Sequence, residues 1–266
     1  MTITIFQSIV LGIVQGLTEL LPISSTAHLE AISWTFDWNI PRYFDIALHF
    51  GTFLAILMFF FKDWIKLIIG GFKQIVKKEK STEGKMFWYL VLATIPGGAI
   101  GYICEHYIDK ILTEKEILSM CVIATSLIVF GILLYFVDKK SKTETQYENM
   151  TLKQTFLIGI SQAIAFIPGV SRSGITMTTA RFMKVDRASA ARFSFMLSAP
   201  ITLGAVVFKL KDFVFNISFL VGVLTSFIVG IFVIKFLLEY LKKGSFKLFA
   251  VYRVVVGLLI FGLIFV

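Results

Sequence analysis

Apolar residues run in blocks along this chain, and polar residues interrupt the blocks in two ways. Six blocks, roughly 44–61, 86–103, 117–137, 188–208, 217–238 and 248–266, end in charged or polar loops. A helix needs about 20 apolar residues to cross a hydrocarbon core about 30 Å thick, so each block predicts a transmembrane helix. Two further blocks, about 3–40 and 152–186, start apolar, break at Pro22 or Pro168, and resume with mixed polarity. These predict re-entrant helix-loop-helix hairpins, because irregular backbone survives at membrane depth only when it is buried in protein or lines a wet cavity.

The two hairpins read as copies. Gly12-Ile13-Val14-Gln15 precedes Pro22-Ile23-Ser24-Ser25-Thr26-Ala27-His28, and Gly159-Ile160-Ser161-Gln162 precedes Pro168-Gly169-Val170-Ser171-Arg172-Ser173-Gly174. Paired broken helices in two halves of a membrane chain point to a binding site.

Composition narrows the class. Of 266 residues, 57% are hydrophobic and only 16% charged, where a soluble domain carries roughly a quarter charged residues. The net charge of +9 raises nucleic acid as a partner. The lysines, however, sit in short loops, where a positive-inside orientation explains them better, and no nucleic acid is expected. Cys104 and Cys121 show neither metal-ligand nor disulfide spacing. Met1 to Ile5 has no basic region and no A-x-A site follows, so no cleavable leader is expected.

Charge also orients the spans. Lys62, Lys66, Lys73, Lys77, Lys78, Lys80 and Lys85 place loop 62–85 in the cytoplasm. Loop 104–116, with Lys110 and Lys115 against four acids, is expected outside. Loops 138–153 and 239–247 are again lysine-rich and cytoplasmic. These assignments fit six spans if the second hairpin enters and leaves from the cytoplasm and the first from outside. The expected fold is therefore an all-α integral membrane protein with an inverted-topology repeat. It is one membrane domain, 1–266, with repeat one about 1–137, repeat two about 151–266, and a polar linker at 138–150.

The chemistry-bearing residues lie at the hairpin breaks, where ionisable groups are costly and mark function by default. Glu19 lies three residues before Pro22, one helical turn after Gln15, and suits a divalent cation or acid–base work; the bland alternative is a carboxylate capping freed amides. Ser25 and His28 are i, i+3 neighbours if a helix restarts after Pro22, so a hydroxyl can meet an imidazole; the alternative is a simple serine N-cap. Asp45 and His49, at i, i+4, read as a packing or supporting pair. Gly169 to Gly174 is the phosphate candidate: glycine-flanked amides at a helix start, the fork of Arg172, and the donors Ser171, Ser173 and Thr176. Its alternative is a polar turn with Arg172 snorkelling. Arg181, Lys184, Arg187 and Arg192 are expected to anchor the cytoplasmic interface, and Arg253 stands inside the last span with no partner named by the sequence.

Gln15 through Leu29, Gln162 through Gly174, Phe44 through Thr52, and Ala190 through Phe195 together resemble the undecaprenyl-diphosphate phosphatase family of the bacitracin-resistance type, essentially end to end. The resemblance implies hydrolysis of undecaprenyl diphosphate to undecaprenyl phosphate and inorganic phosphate, recycling the lipid carrier of peptidoglycan synthesis and conferring bacitracin resistance. It implies a multi-pass protein of the bacterial plasma membrane, a Mg²⁺ or Ca²⁺ requirement, a polyprenyl diphosphate substrate among membrane lipids, and a homodimer. It implies catalytic roles for Glu19, Ser25, His28 and Arg172, and phosphate binding by Ser171, Arg172, Ser173, Gly174 and Thr176. Metal binding falls to Glu19, with Gln15 where a second carboxylate is common; Ala27 stands where glycine is usual. A transporter for an anionic lipid is the competing class, since broken helices serve transport as well.

Overall fold

The computed structural model describes residues 3–112, 116–208, 211 and 214–265, with the side chains of 42 and 102–112 outside the description. Of the expected outer loop at 104–116, the side chains of Cys104 and Lys110 and all of Lys115 fall outside the description, while the backbone is helical to Leu112 and again from Glu116. Among the described residues there is no strand, only one isolated bridge between Thr145 and Val185.

Eleven α-helices follow one another among these residues: α1 Ile5–Thr18, α2 Ser25–Phe36, α3 Arg42–Phe59, α4 Phe61–Val76, α5 Thr82–Leu112, α6 Glu116–Lys140, α7 Leu152–Ser161, α8 Arg172–Phe182, α9 Arg187–Phe208, α10 Ile217–Leu241 and α11 Lys247–Ile264. Four of them, α6, α9, α10 and α11, are long and apolar enough to cross a membrane. The α3 and α4 helices pass that test only as a pair, bent by 75°. The segment expected as loop 62–85 is thus mostly helix: α4 keeps an apolar stripe between its lysines, which a count of lysines overlooks. α5 runs as one helix through Pro96, and α9 through Pro200.

The two hairpins are framed alike. Thr4 and Gln7 close a capping box at the start of α1, and Thr151 and Gln154 close one at the start of α7. α1 packs on α10 and α7 on α5, while α6 and α11 pack on each other. The main core joins α3, α5, α9 and α10 around Phe53, Leu90, Phe195 and Ile234.

One polar lock ties the end of α6 to the end of α8 and the starts of α9 and α11. Asp138, buried at the end of α6, accepts from Arg181 Nε and Arg187 Nε at 2.8 Å each and from the Phe246 amide at 3.1 Å. Arg181 also donates to the Val185 and Ser141 carbonyls, at 2.5 and 2.8 Å. It is fully buried, so it is a structural ion-pair residue and not the interfacial anchor its basic neighbourhood suggests. Lys184 and Arg192 do reach acids near the surface, Glu144 at 3.0 Å and the half-buried Asp63 and exposed Glu148 at 3.2 Å each.

Candidate active site

Each hairpin delivers one residue to a common point by the same local device. α1 ends at Thr18, and the chain turns through Pro22 to Ser24. Ser24 takes φ +76°, in the left-handed region that costs a non-glycine residue strain. Its Oγ caps α2 by accepting from the Ala27 amide at 3.4 Å, so Ser25 becomes the first helical residue. In the second hairpin a 3₁₀ turn at Gln162–Phe166 and Gly169 at φ +87° lead to Ser171 at φ +72°. The Ser171 Oγ caps α8 through the Gly174 amide at 3.1 Å, and Arg172 becomes the first helical residue. First-turn amides of a helix have no intrahelical partner and favour anions.

Ser25, Glu19 and Arg172 meet. Ser25 Oγ donates to Glu19 Oε2 at 2.6 Å. Arg172 Nη2 pairs with Glu19 Oε1, and Arg172 Nη1 donates to Thr202 Oγ1 at 3.1 Å. Gln15 Nε2 adds a donor to Glu19 Oε2 at 3.3 Å and faces His49 Nδ1 at 3.0 Å. His49 Nδ1 stands 3.6 Å from Glu19 Oε2, and its Nε2 3.9 Å from Asp45 Oδ1. Glu19, Ser25, Asp45, His49, Arg172 and Thr202 line a cavity of about 280 Å³, with Gln15 buried behind Glu19; its other wall is apolar: Ile46, Phe166, Ile201, Ala205 and Val206.

His49 and Asp45, expected as a packing or supporting pair, line the cavity beside Glu19. Their i, i+4 spacing was the available signal; only the packing of α3 beside α1 shows what the pair faces. The expected Ser25–His28 contact is not formed. His28 Nδ1 bonds the Ser24 carbonyl at 2.7 Å, its Nε2 meets Tyr252 Oη at 2.8 Å, and the ring stacks on Tyr252 at 5.6 Å. Helical spacing brought Ser25 and His28 near, but the carboxylate of Glu19 takes the hydroxyl and Tyr252 takes the ring.

The phosphate candidates separate in the same way. Ser171 and Arg172 line the cavity. Ser173 Oγ donates across to the Leu21 carbonyl of the first hairpin at 2.9 Å. Thr176 Oγ1 bonds the Arg172 carbonyl at 2.8 Å and meets Ser194 Oγ at 2.7 Å. Both hydroxyls thus brace the start of α8 from behind. Gly174 makes room: a Cβ there would stand 2.6 Å from Arg253 Nη1.

Arg253 answers the question the sequence left open. It is fully buried, and its partners are backbone carbonyls. Nη1 donates to Pro22 O at 3.2 Å, and Nη2 to Gly169 O at 3.0 Å and Val170 O at 2.8 Å. Nε reaches Leu127 O and Nη2 also Ser126 O of α6, both at 3.4 Å. The broken helices leave carbonyls without ladder partners, and one guanidinium gathers those of both hairpin tips.

No group of three or more His, Cys, Asp or Glu side chains able to hold a metal occurs among the described residues. Glu19 is already paired with Arg172, while Gln15 Oε1 is buried with no partner. One carboxylate with one spare amide oxygen suits a hard cation that draws its remaining ligands from phosphate and water.

Fold and site together define a helical membrane protein with an anion-ready pocket where two broken helices meet. Residues 8–259 match the family described as bacitracin resistance protein BacA. The chain is 46% identical to the undecaprenyl-diphosphatase of Pelotomaculum thermopropionicum, over 96% of this chain and 95% of that protein. It is 44% identical to those of Caldicellulosiruptor bescii, over 94% of each chain, and Moorella thermoacetica, over 97% of each. The chain belongs to the bacitracin resistance protein BacA family.

Proposed function

We propose that this chain hydrolyses undecaprenyl diphosphate to undecaprenyl phosphate and inorganic phosphate in the bacterial plasma membrane. The carrying observation is the hydroxyl–carboxylate–guanidinium contact of Ser25, Glu19 and Arg172 at two meeting helix starts. A transporter needs no hydroxyl held 2.6 Å from a carboxylate; a serine nucleophile with its base does.

The terminal phosphate sits at the first-turn amides of α2 and α8. Arg172, with five N–H donors, holds its oxygens, and Thr202 fixes the fork. Ser25 Oγ forms a bond to the terminal phosphorus as the bond to the bridging oxygen breaks. Glu19 takes the hydroxyl proton and passes it to the departing undecaprenyl phosphate. Water then attacks the phosphoserine, again giving a proton to Glu19, which returns it to Ser25 Oγ as inorganic phosphate leaves. Arg172 and the amides stabilise the charge spread over the equatorial oxygens throughout. The first isoprene units lie against Ile46, Phe166, Ile201 and Val206. His49 and Asp45 tune Glu19 from its open side. Glu19 and Gln15 would hold a Mg²⁺ or Ca²⁺ brought with the diphosphate, whose chemistry is to offset phosphate charge.

The scaffold we assign is a pair of repeats of opposite orientation, with α3, α5, α6, α9, α10 and α11 as six spans. Two things support it: the loop charges, and the register that pairs Thr4 with Thr151, Gln7 with Gln154, Gly12 with Gly159, Gln15 with Gln162 and Ser24 with Ser171.

The test is inorganic phosphate release from a prenyl diphosphate by purified protein in detergent, with and without EDTA, beside Arg172→Ala. Release that EDTA suppresses and the substitution abolishes supports the enzyme and its cation. No release from folded protein with added Mg²⁺ or Ca²⁺ would return the weight to transport.

A further inference from the structure

α4 takes no part in the site, and it departs from the helices around it. It turns 75° from α3 at Phe60 and sorts its residues into three stripes at helical spacing. Leu67, Gly70 and Gly71 pack on α5: Leu67 is buried, Gly70 lies against Gly84, and Trp88 Nε1 donates to the Gly71 carbonyl at 3.3 Å. Phe61, Ile65, Ile68, Phe72 and Ile75 form a second stripe, and every one is exposed, by 42–63%. Lys62, Lys66, Lys73 and Lys77 form the third, flanking the apolar stripe. None of these four lysines makes an ion pair among the described residues.

An apolar stripe this long would be an aggregation hazard in water, and a lysine row beside it would be costly inside hydrocarbon. Both are satisfied at once when a helix lies in the plane of the headgroups. Lys66, Lys73 and Lys80 then line an open hollow of about 310 Å³ together with Ile69, Gly70, Ser81 and the acids Glu79 and Glu83. Its lysines are the right charge for phosphodiester headgroups, and lysine-rich segments lie on the cytoplasmic face.

We infer that α4 is an interfacial helix whose lysine stripe binds the headgroup phosphate of anionic phospholipid in the cytoplasmic leaflet. The apolar stripe enters the acyl boundary, the lysines stand at headgroup depth, and the α5 face holds the helix to the protein. The site is separate from the cavity of Glu19, Ser25 and Arg172, so its failure would leave the proposed hydrolysis untouched.

The test uses full-length, delipidated protein in neutral detergent, titrated at low ionic strength with phosphatidylglycerol, phosphatidylcholine or inorganic phosphate. Bound lipid is counted by native mass spectrometry. Phosphatidylglycerol is expected to bind in preference to phosphatidylcholine, and inorganic phosphate not to displace it. A basic residue beside an anionic leaflet is worth roughly fivefold in affinity. Exchanging Lys62, Lys66, Lys73 and Lys77 together for Gln should therefore weaken phosphatidylglycerol binding on the order of 600-fold. Arginine at the same four positions should keep it within about twofold, since charge and not shape carries the contact. Equal binding of both lipids, or a Gln variant that retains phosphatidylglycerol, would overturn the inference. Displacement by inorganic phosphate would reassign the hollow to a free anion. The melting temperature of each variant reports folding; should the fourfold Gln variant unfold, Lys73→Gln with Lys77→Gln carries the same comparison, with a loss of roughly twentyfold expected.

Discussion

In the first hairpin a serine at φ +76° caps a helix that begins with Ser25; in the second a serine at φ +72° caps a helix that begins with Arg172. The frames match further back, through Gln15 and Gln162, each buried with an Oε1 that has no partner. The side chains they carry diverge. In the same register Glu19 corresponds to Phe166, so one hairpin brings a carboxylate to the cavity where the other brings an aromatic wall. A strained turn that aims first-turn amides at a shared point is thus used twice, once for a hydroxyl with its proton acceptor and once for a cation. Neither hairpin alone holds a complete site. On the proposed mechanism the backbone supplies anion affinity on both sides, while two side-chain differences, Ser25 against Arg172 and Glu19 against Phe166, supply the chemistry.

The sharpest way to break that division is at the two first helical residues. Arg172→Ala should lower kcat/KM for prenyl diphosphate by roughly a thousandfold or more, because it removes the guanidinium proposed to hold the phosphate. Arg172→Lys should recover little, since a point charge cannot both pair with Glu19 and hold phosphate oxygens as the fork does. Ser25→Ala should cost a comparable factor and abolish a phosphoserine trapped by acid quench. Near-normal turnover in Ser25→Ala would instead make water the nucleophile and leave Glu19 as its base.

Glu19→Gln comes next. It keeps the shape and a hydrogen-bonding partner for Ser25 but loses the proton acceptor and the charge facing Arg172. General-base losses run to about a hundredfold or more, and a fall in kcat greater than the change in KM is expected. Phosphate release insensitive to EDTA in the unsubstituted protein would separate this carboxylate from any cation.

Arg253 tests the frames and not the chemistry. Arg253→Met leaves the carbonyls of Pro22, Gly169 and Val170 without their donor, at about 1–3 kcal/mol for each group left unsatisfied. A lowered melting temperature in detergent and loss of activity should appear together. Arg253→Lys, which can reach only some of these carbonyls, should fall between. A Met variant as stable as the unsubstituted protein would mean that water replaces the guanidinium at both tips.

Much of this was legible from sequence, for identifiable reasons. The breaks between α1 and α2 and between α7 and α8 showed because proline breaks an apolar run visibly. Glu19, Ser25 and Arg172 stood out because polar groups at that depth are costly. Arg253 could be seen but not explained: its partners are backbone carbonyls, which leave no mark on residue identity. α4 was hidden because its lysines are the usual sign of a loop, and an exposed apolar stripe between them shows only at a 3.6-residue period. The positive φ at Ser24 and Ser171 could not be foreseen either, since serine rarely adopts it.

The smallest expected effect concerns the two histidines, where spacing and geometry disagree. Helical spacing placed His28 beside Ser25, yet its ring is held between the Ser24 carbonyl and Tyr252, while His49 reaches Glu19. The geometry predicts that His49→Ala lowers kcat by roughly tenfold, through the environment of Glu19, and that His28→Ala lowers it less. Tyr252→Phe gives the control: it removes the hydrogen bond to His28 Nε2 and keeps the stacking ring. If His28 acts only as a brace for the Ser24 turn, Tyr252→Phe and His28→Ala should both shift the melting temperature more than kcat. The reverse order, a large loss of kcat in His28→Ala with stability intact, would mean that the ring leaves Tyr252 and turns toward Ser25 when the diphosphate arrives. In that case the two hairpins would differ by a mobile imidazole as well as by Glu19 and the two first helical residues.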